Sequence, residues 1–118
     1  MSIQVKRAYE APAKSDGYRV LVDRVWPRGM KKEQLELDAW LKQLAPSTRL
    51  RKWFGHDPAK WTEFKRRYFR ELAEQQSDTR ELRKKARQGR VTLVFAAKEV
   101  EFNNAVALKE YLRKGRAK

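Results

Sequence analysis

Val91-Thr92-Leu93-Val94-Phe95 is nearly continuous in apolar and β-branched residues, where a half-exposed strand would alternate with polar ones. Such a run requires cover on both faces, which places it at the centre of a parallel sheet. The chain leaves it through Ala96-Ala97-Lys98-Glu99 and reaches Asn103-Asn104, either of which can cap a last helix, Ala105 to Leu112, ending near Gly115. Tyr18 to Asp23 is the second strong strand. It stops at Asp23-Arg24-Val25-Trp26-Pro27-Arg28-Gly29, where Pro27 and Gly29 prevent it from continuing.

Outward from these two strands the elements are shorter. Ile3 and Val5, followed by Tyr9, alternate with polar residues as a first strand, and Ala11 to Gly17 is a loop. Lys31 to Leu35 begins a short helix, and Leu37 to Trp40 is read as extended. Ser47 caps a helix, Thr48 to Trp53, that Gly55 stops. Asp57-Pro58 opens a longer one to about Glu74, whose apolar face is Trp61, Phe64, Tyr68 and Leu72. Asp78 and Glu81, three apart, open a basic helix through Arg87 that Gly89 closes. Strands early and late with helices between predict a small α/β domain: a mostly parallel central sheet with helices on both faces.

Composition narrows the function. At 118 residues the chain fits one domain, residues 1–118, with a tail expected to be mobile from about residue 114. Without cysteine there is no thiolate nucleophile and no cysteine-ligated zinc or iron-sulfur centre. The single histidine, His56, rules out a multi-histidine metal site, and no cofactor is expected. No segment has the apolar length to span a bilayer, and the first residues lack a signal-peptide core, so a soluble, cytoplasmic, bacterial protein is expected. The formal charge of +14, from 29 Lys and Arg against 15 Asp and Glu, makes acidic partners the first to consider.

In open α/β sheets ligands collect beyond the carboxyl ends of parallel strands. If the two strong strands are neighbours, Asp23, Arg24 and Arg28 from one meet Lys98, Asn103 and Asn104 from the other. The expectation is a pocket for a small anionic ligand, with arginines as clamps and amides as orienting groups. Were it catalytic, Asp23 or His56 would be the acid/base candidate. Each residue also has a structural reading. Asp23 with Arg24 can form an internal ion pair, Asn103-Asn104 a helix cap, Trp26 a packing group, and Asp57 a cap rather than a partner of His56. The aromatic residues Trp53, Phe54, Trp61, Phe64 and Tyr68 fall at core spacing rather than as a base-stacking platform. The alternative to the pocket is a basic nucleic-acid-binding accessory protein, using the helix Arg80 to Arg90 and non-specific phosphate contacts.

The stretches Asp16 to Gly29, Ala45-Pro46-Ser47-Thr48, Leu50 to Pro58, and Ala96-Ala97-Lys98 leading to Asn103-Asn104-Ala105 resemble the YeaO-like branch of the domain of unknown function 488 family. The resemblance covers almost the whole chain in order. It implies a single α/β domain of bacterial type and assigns no reaction. Other branches carry a cysteine near a strand end, and this chain has none. The polar positions the resemblance marks are Asp23, Arg24, Arg28, His56, Asp57, Lys98, Asn103 and Asn104.

Overall fold

In the computed structural model, which describes residues 1–114, strand β4 (Arg90–Phe95) lies between β1 (Ser2–Arg7) and β2 (Tyr18–Leu21), parallel to both. The unbroken apolar run is therefore central, as its composition requires. A two-residue strand, β3 (Ala39–Trp40), pairs parallel to β2 and completes the order β1-β4-β2-β3. Around the sheet stand α1 (Lys32–Leu35), α2 (Thr48–Phe54), α3 (Trp61–Leu72), α4 (Gln76–Gln88) and α5 (Asn104–Lys114).

Side chains of a strand alternate between faces, and here the two faces differ in kind. Ile3, Val20, Val22, Val91, Leu93 and Phe95 point to one side, where Phe54 of α2, Phe64 and Tyr68 of α3, Leu82 of α4 and Leu108 of α5 cover them. Burying a side chain such as Leu93 or Phe64 contributes ~1.5–3 kcal/mol, so this face supplies most of the cohesion. The opposite face carries a smaller cluster of Ala8, Leu21, Leu35 and Val94, against which Trp26 and Trp40 pack, edge to face with each other. Its remainder is polar. Asp16 accepts from Arg19 at 2.7 Å, Lys6 at 3.0 Å and the amide of Ala13 at 3.0 Å, while Arg19 also donates twice to the carbonyl of Leu35. Thr92 closes the network by donating to the carbonyl of Asp16.

Most expected elements are present, with shifted ends. Asp57 caps a 3-10 turn, Pro58–Lys60, through the amide of Ala59, and α3 follows it and stops at Leu72. The expected Asp78 and Glu81 capping pair is corrected: α4 begins earlier, at Gln76, and Asp78 accepts instead from Gln43 at 2.8 Å. Tyr9 lies beyond β1, exposed, with its hydroxyl donating to the carbonyl of Arg28. Gly115 and the tail from residue 115 onward lie outside the described residues.

Gly17 shows how tightly the sheet's lower edge is built. It turns the chain into β2 at φ +66°, and a Cβ there would stand 2.3 Å from the carbonyl oxygen of Arg90. Only glycine fits that approach.

Candidate functional site

Because β2 and β4 are parallel neighbours, the segments leaving their carboxyl ends rise side by side. Val22 continues the pairing through its amide to the carbonyl of Val94, and Asp23 is then the first residue past the sheet. Its carboxylate bridges the two strand exits: Oδ2 accepts from the amide of Ala96 at 2.9 Å and Oδ1 from Nδ2 of Asn104 at 3.1 Å. Asn104 also donates to the carbonyl of Val22, so the start of α5 is fastened to the end of β2. Trp40 fixes the backbone of Asp23 through its carbonyl at 2.7 Å.

Above this bridge lies a cavity of about 510 Å³. One wall is the loop from Asp23 to Arg28, turned by Pro27 and by Gly29 at φ +80°, and closed by the amide of Met30 on the carbonyl of Pro27. Ala45 and Pro46 form a second wall, against which Arg24 leans with two hydrogen bonds of 3.4 Å to their carbonyls. A third is the end of α2 and the turn after it: Arg51, Lys52, Phe54, Gly55 and His56. Ala96 and Ala97 form the fourth, their carbonyls held by the guanidinium of Arg7.

Burial is the strongest influence on Asp23 and pushes its carboxyl above the usual carboxylate range, against the lowering effects of the Ala96 amide, Asn104, Arg51 and His56. His56 adopts φ +56°, rare for a side chain other than glycine, and its Nδ1 bonds the carbonyl of Phe102 at 3.1 Å. A carbonyl only accepts, so Nδ1 carries the proton and the free nitrogen is Nε2.

Of the residues expected from the sequence, the fold brings Asp23, Arg24, Arg28, His56 and Asn104 to one cavity. It does not bring Lys98 or Asn103. Lys98 is exposed on the loop after β4 and outside the cavity lining. Asn103 is fully buried and occupied as a cap, its Nδ2 on the carbonyl of Glu99 at 2.8 Å and its Oδ1 on the amide of Val106 at 2.9 Å. Asp23 and Arg24 form no ion pair with each other, since Arg24 turns to the Ala45-Pro46 wall. Trp26 packs, as expected, and bonds the carbonyl of Met30 at 2.7 Å, yet its ring also lines the cavity.

Arg51 and Lys52 were missed. In the sequence they read as helix-terminal cations suited to the negative end of α2, and nothing local marks that end as facing two strand exits, one at Asp23 earlier in the chain and the other at Ala96 later in it.

Residues 2–118 match the family described as DUF488-N3i, the inactive DUF488-N3 subclade. The chain belongs to that family. Within DUF488 it is similar to the uncharacterized protein YeaO of Escherichia coli strain K12, 43% identical over 113 residues, which are 96% of this chain and 98% of YeaO. The uncharacterized proteins Mb3100c of Mycobacterium bovis and Rv3073c of Mycobacterium tuberculosis are each 40% identical over 110 residues, 93% of this chain and 92% of theirs. No solved structure matches significantly.

Proposed function

We propose that this DUF488 domain binds a small anionic ligand in the cavity at the ends of β2 and β4. The observation that carries the reading is a group of cations without acidic partners. Among the described residues, the side chains of Arg28, Arg51 and Lys52 make no ion pair, and Arg24 meets only two distant carbonyls. Four acids elsewhere do pair with cations: Asp16 with Lys6 and Arg19, Glu63 with Arg66 and Arg67, Glu81 with Lys85, and Glu110 with Lys65 and Lys114. Charge left unpaired around one cleft concentrates its field there. The description of the family as inactive favours binding without turnover, in which Asp23 and His56 serve as hydrogen-bonding groups.

Titrating the protein with phosphate or sulfate while following arginine side-chain resonances tests this. Shifts at Arg28 and Arg51 are expected, and Arg28→Ala with Arg51→Ala should weaken binding by tenfold or more, since a charged hydrogen bond contributes about 1.5–3 kcal/mol. Unmoved arginine signals at saturating anion would overturn the reading.

A second reading, nucleic-acid binding, is favoured by one row of α4. Arg80, Lys84 and Arg87 are exposed at helical spacing, whereas Arg83 is committed to the carbonyls of Leu112 and Tyr111 and Lys85 to Glu81. Three phosphate contacts by that row would give a logarithmic salt slope of about −2.7 on duplex DNA. Absence of any retarded band in a low-salt gel shift would eliminate it.

A further inference from the structure

The cavity is not built for a bare anion. Inorganic phosphate would fill a small part of about 510 Å³, and the residue at its base is a carboxylate. Asp23 is partly buried, while Arg24, Arg28, Arg51 and Lys52 are exposed, so the acid is the less solvent-open charge and the cations the more open ones. An anion seated on the base would be repelled by Asp23; one seated at the rim meets the cations. The ligand is thereby divided into an anionic end at the rim and a donor-bearing end at the base.

Two further features narrow the donor-bearing end. Trp26 and the buried Phe54 give the lining an aromatic share, which favours a planar body over a flexible chain. Asp23 also has capacity to spare. An ionised carboxylate offers about four acceptor sites, and the Ala96 amide and Asn104 take one on each oxygen. Each oxygen therefore retains acceptor capacity, enough for a pair of adjacent N–H donors on a planar ring.

Resting on the anion-binding reading, we infer that the ligand is a nucleoside monophosphate: its phosphate held at the rim by Arg28 and Arg51, its base against the aromatic lining, and the donor edge of the base on Asp23. Guanine presents the best match, because its ring N–H and its amino group stand next to each other and reach both carboxylate oxygens together. Nothing in this assignment requires a bond to be made or broken. It accounts for a carboxylate at the bottom of a cationic cleft, which a simple phosphate site would exclude.

Calorimetric titration of the whole chain with guanosine 5′-monophosphate, inosine 5′-monophosphate, ribose 5-phosphate and guanosine separates the parts. Guanosine 5′-monophosphate should bind at least tenfold more tightly than ribose 5-phosphate, with the inosine compound, which lacks the amino group, between them. Asp23→Asn should lower the guanosine compound to the level of ribose 5-phosphate and tighten ribose 5-phosphate itself, because the repulsion is removed. Should that variant not fold, the ligand series on the unaltered protein decides. Equal affinity for ribose 5-phosphate and guanosine 5′-monophosphate would overturn the nucleotide assignment and leave anion binding standing. Guanosine binding as tightly as its monophosphate, or no phosphate compound binding at all, would overturn anion binding as well.

Discussion

Asp23 and Asp16 both enter the fold as carboxylates, and burial is the largest influence on each, yet they shift in opposite directions. At Asp23 desolvation wins and the carboxyl titrates high; at Asp16 the Ala13 amide, Lys6 and Arg19 together outweigh it and hold the carboxyl low. The signs for stability follow. Asp16 contributes above its unfolded pKa of about 3.9 and loses that contribution as pH falls through its lower folded value. Asp23 favours folding below about 3.9, and its contribution fades as pH rises through its higher folded value. Urea unfolding of Asp16→Asn and Asp23→Asn between neutral and acid pH should therefore show the first deficit shrinking on acidification and the second growing. Parallel pH trends in the two variants would contradict these shifts. Glycines separate in the same way. Gly17→Ala meets the Arg90 carbonyl and should cost at least ~2 kcal/mol, whereas Gly29→Ala, at φ +80° in open space, should cost ~1 kcal/mol from the backbone alone; thermal melts distinguish them.

α2 is only seven residues long, too short to persist without its ends being held. Ser47 caps it through the amide of Leu50, and Glu71 on α3 grips Ser47 twice, at 2.8 Å from the amide and 2.6 Å from the hydroxyl. The same grip positions Ala45 and Pro46, the carbonyls against which Arg24 leans, so a helix cap is also a support for the cavity wall. Ser47→Ala should cost ~1 kcal/mol as a lost cap. Glu71→Ala removes the other half of the same unit, and a double-mutant cycle should return a coupling of ~0.5 kcal/mol or more. Additive losses would mean that the two act separately.

Across the whole molecule, one face of the sheet is packed with four helices and the other with one short helix, loops and an ion network, giving a flattened body of 35 × 35 × 20 Å. That network takes the place of a second apolar layer at the lower half of the sheet. Arg19, 3% exposed, is its centre, and Arg19→Met would leave Asp16 with Lys6 as its only cation and the Leu35 carbonyl without its donor. Breaking a buried pair from one side costs about 3–5 kcal/mol, and a loss near the lower end is expected here because Lys6 remains. Chemical denaturation measures it; a loss under 1 kcal/mol would show the network to be incidental.

The central position of β4 was legible because an apolar run with no alternation admits only one environment, and the strand end at Asp23 because Pro27 and Gly29 are local chain breakers. Caps at Ser47 and Asp57 were legible for the same reason: a side chain bonding an amide two or three residues ahead is a local event. Asp23, Arg24, Arg28 and Asn104 could be proposed together once two strand ends were taken to be neighbours, and His56 separately as an acid/base candidate. The tertiary structure alone decided that Arg51 joins them, that Lys98 and Asn103 do not, and that Asp16 and Arg19 form a buried network rather than a loop acid and a strand cation. Polar side chains take their meaning from partners far along the chain. Sequence determines which backbone each residue sits on, and only the assembled sheet brings Asp23 to Ala96 and Asn104, more than seventy residues away.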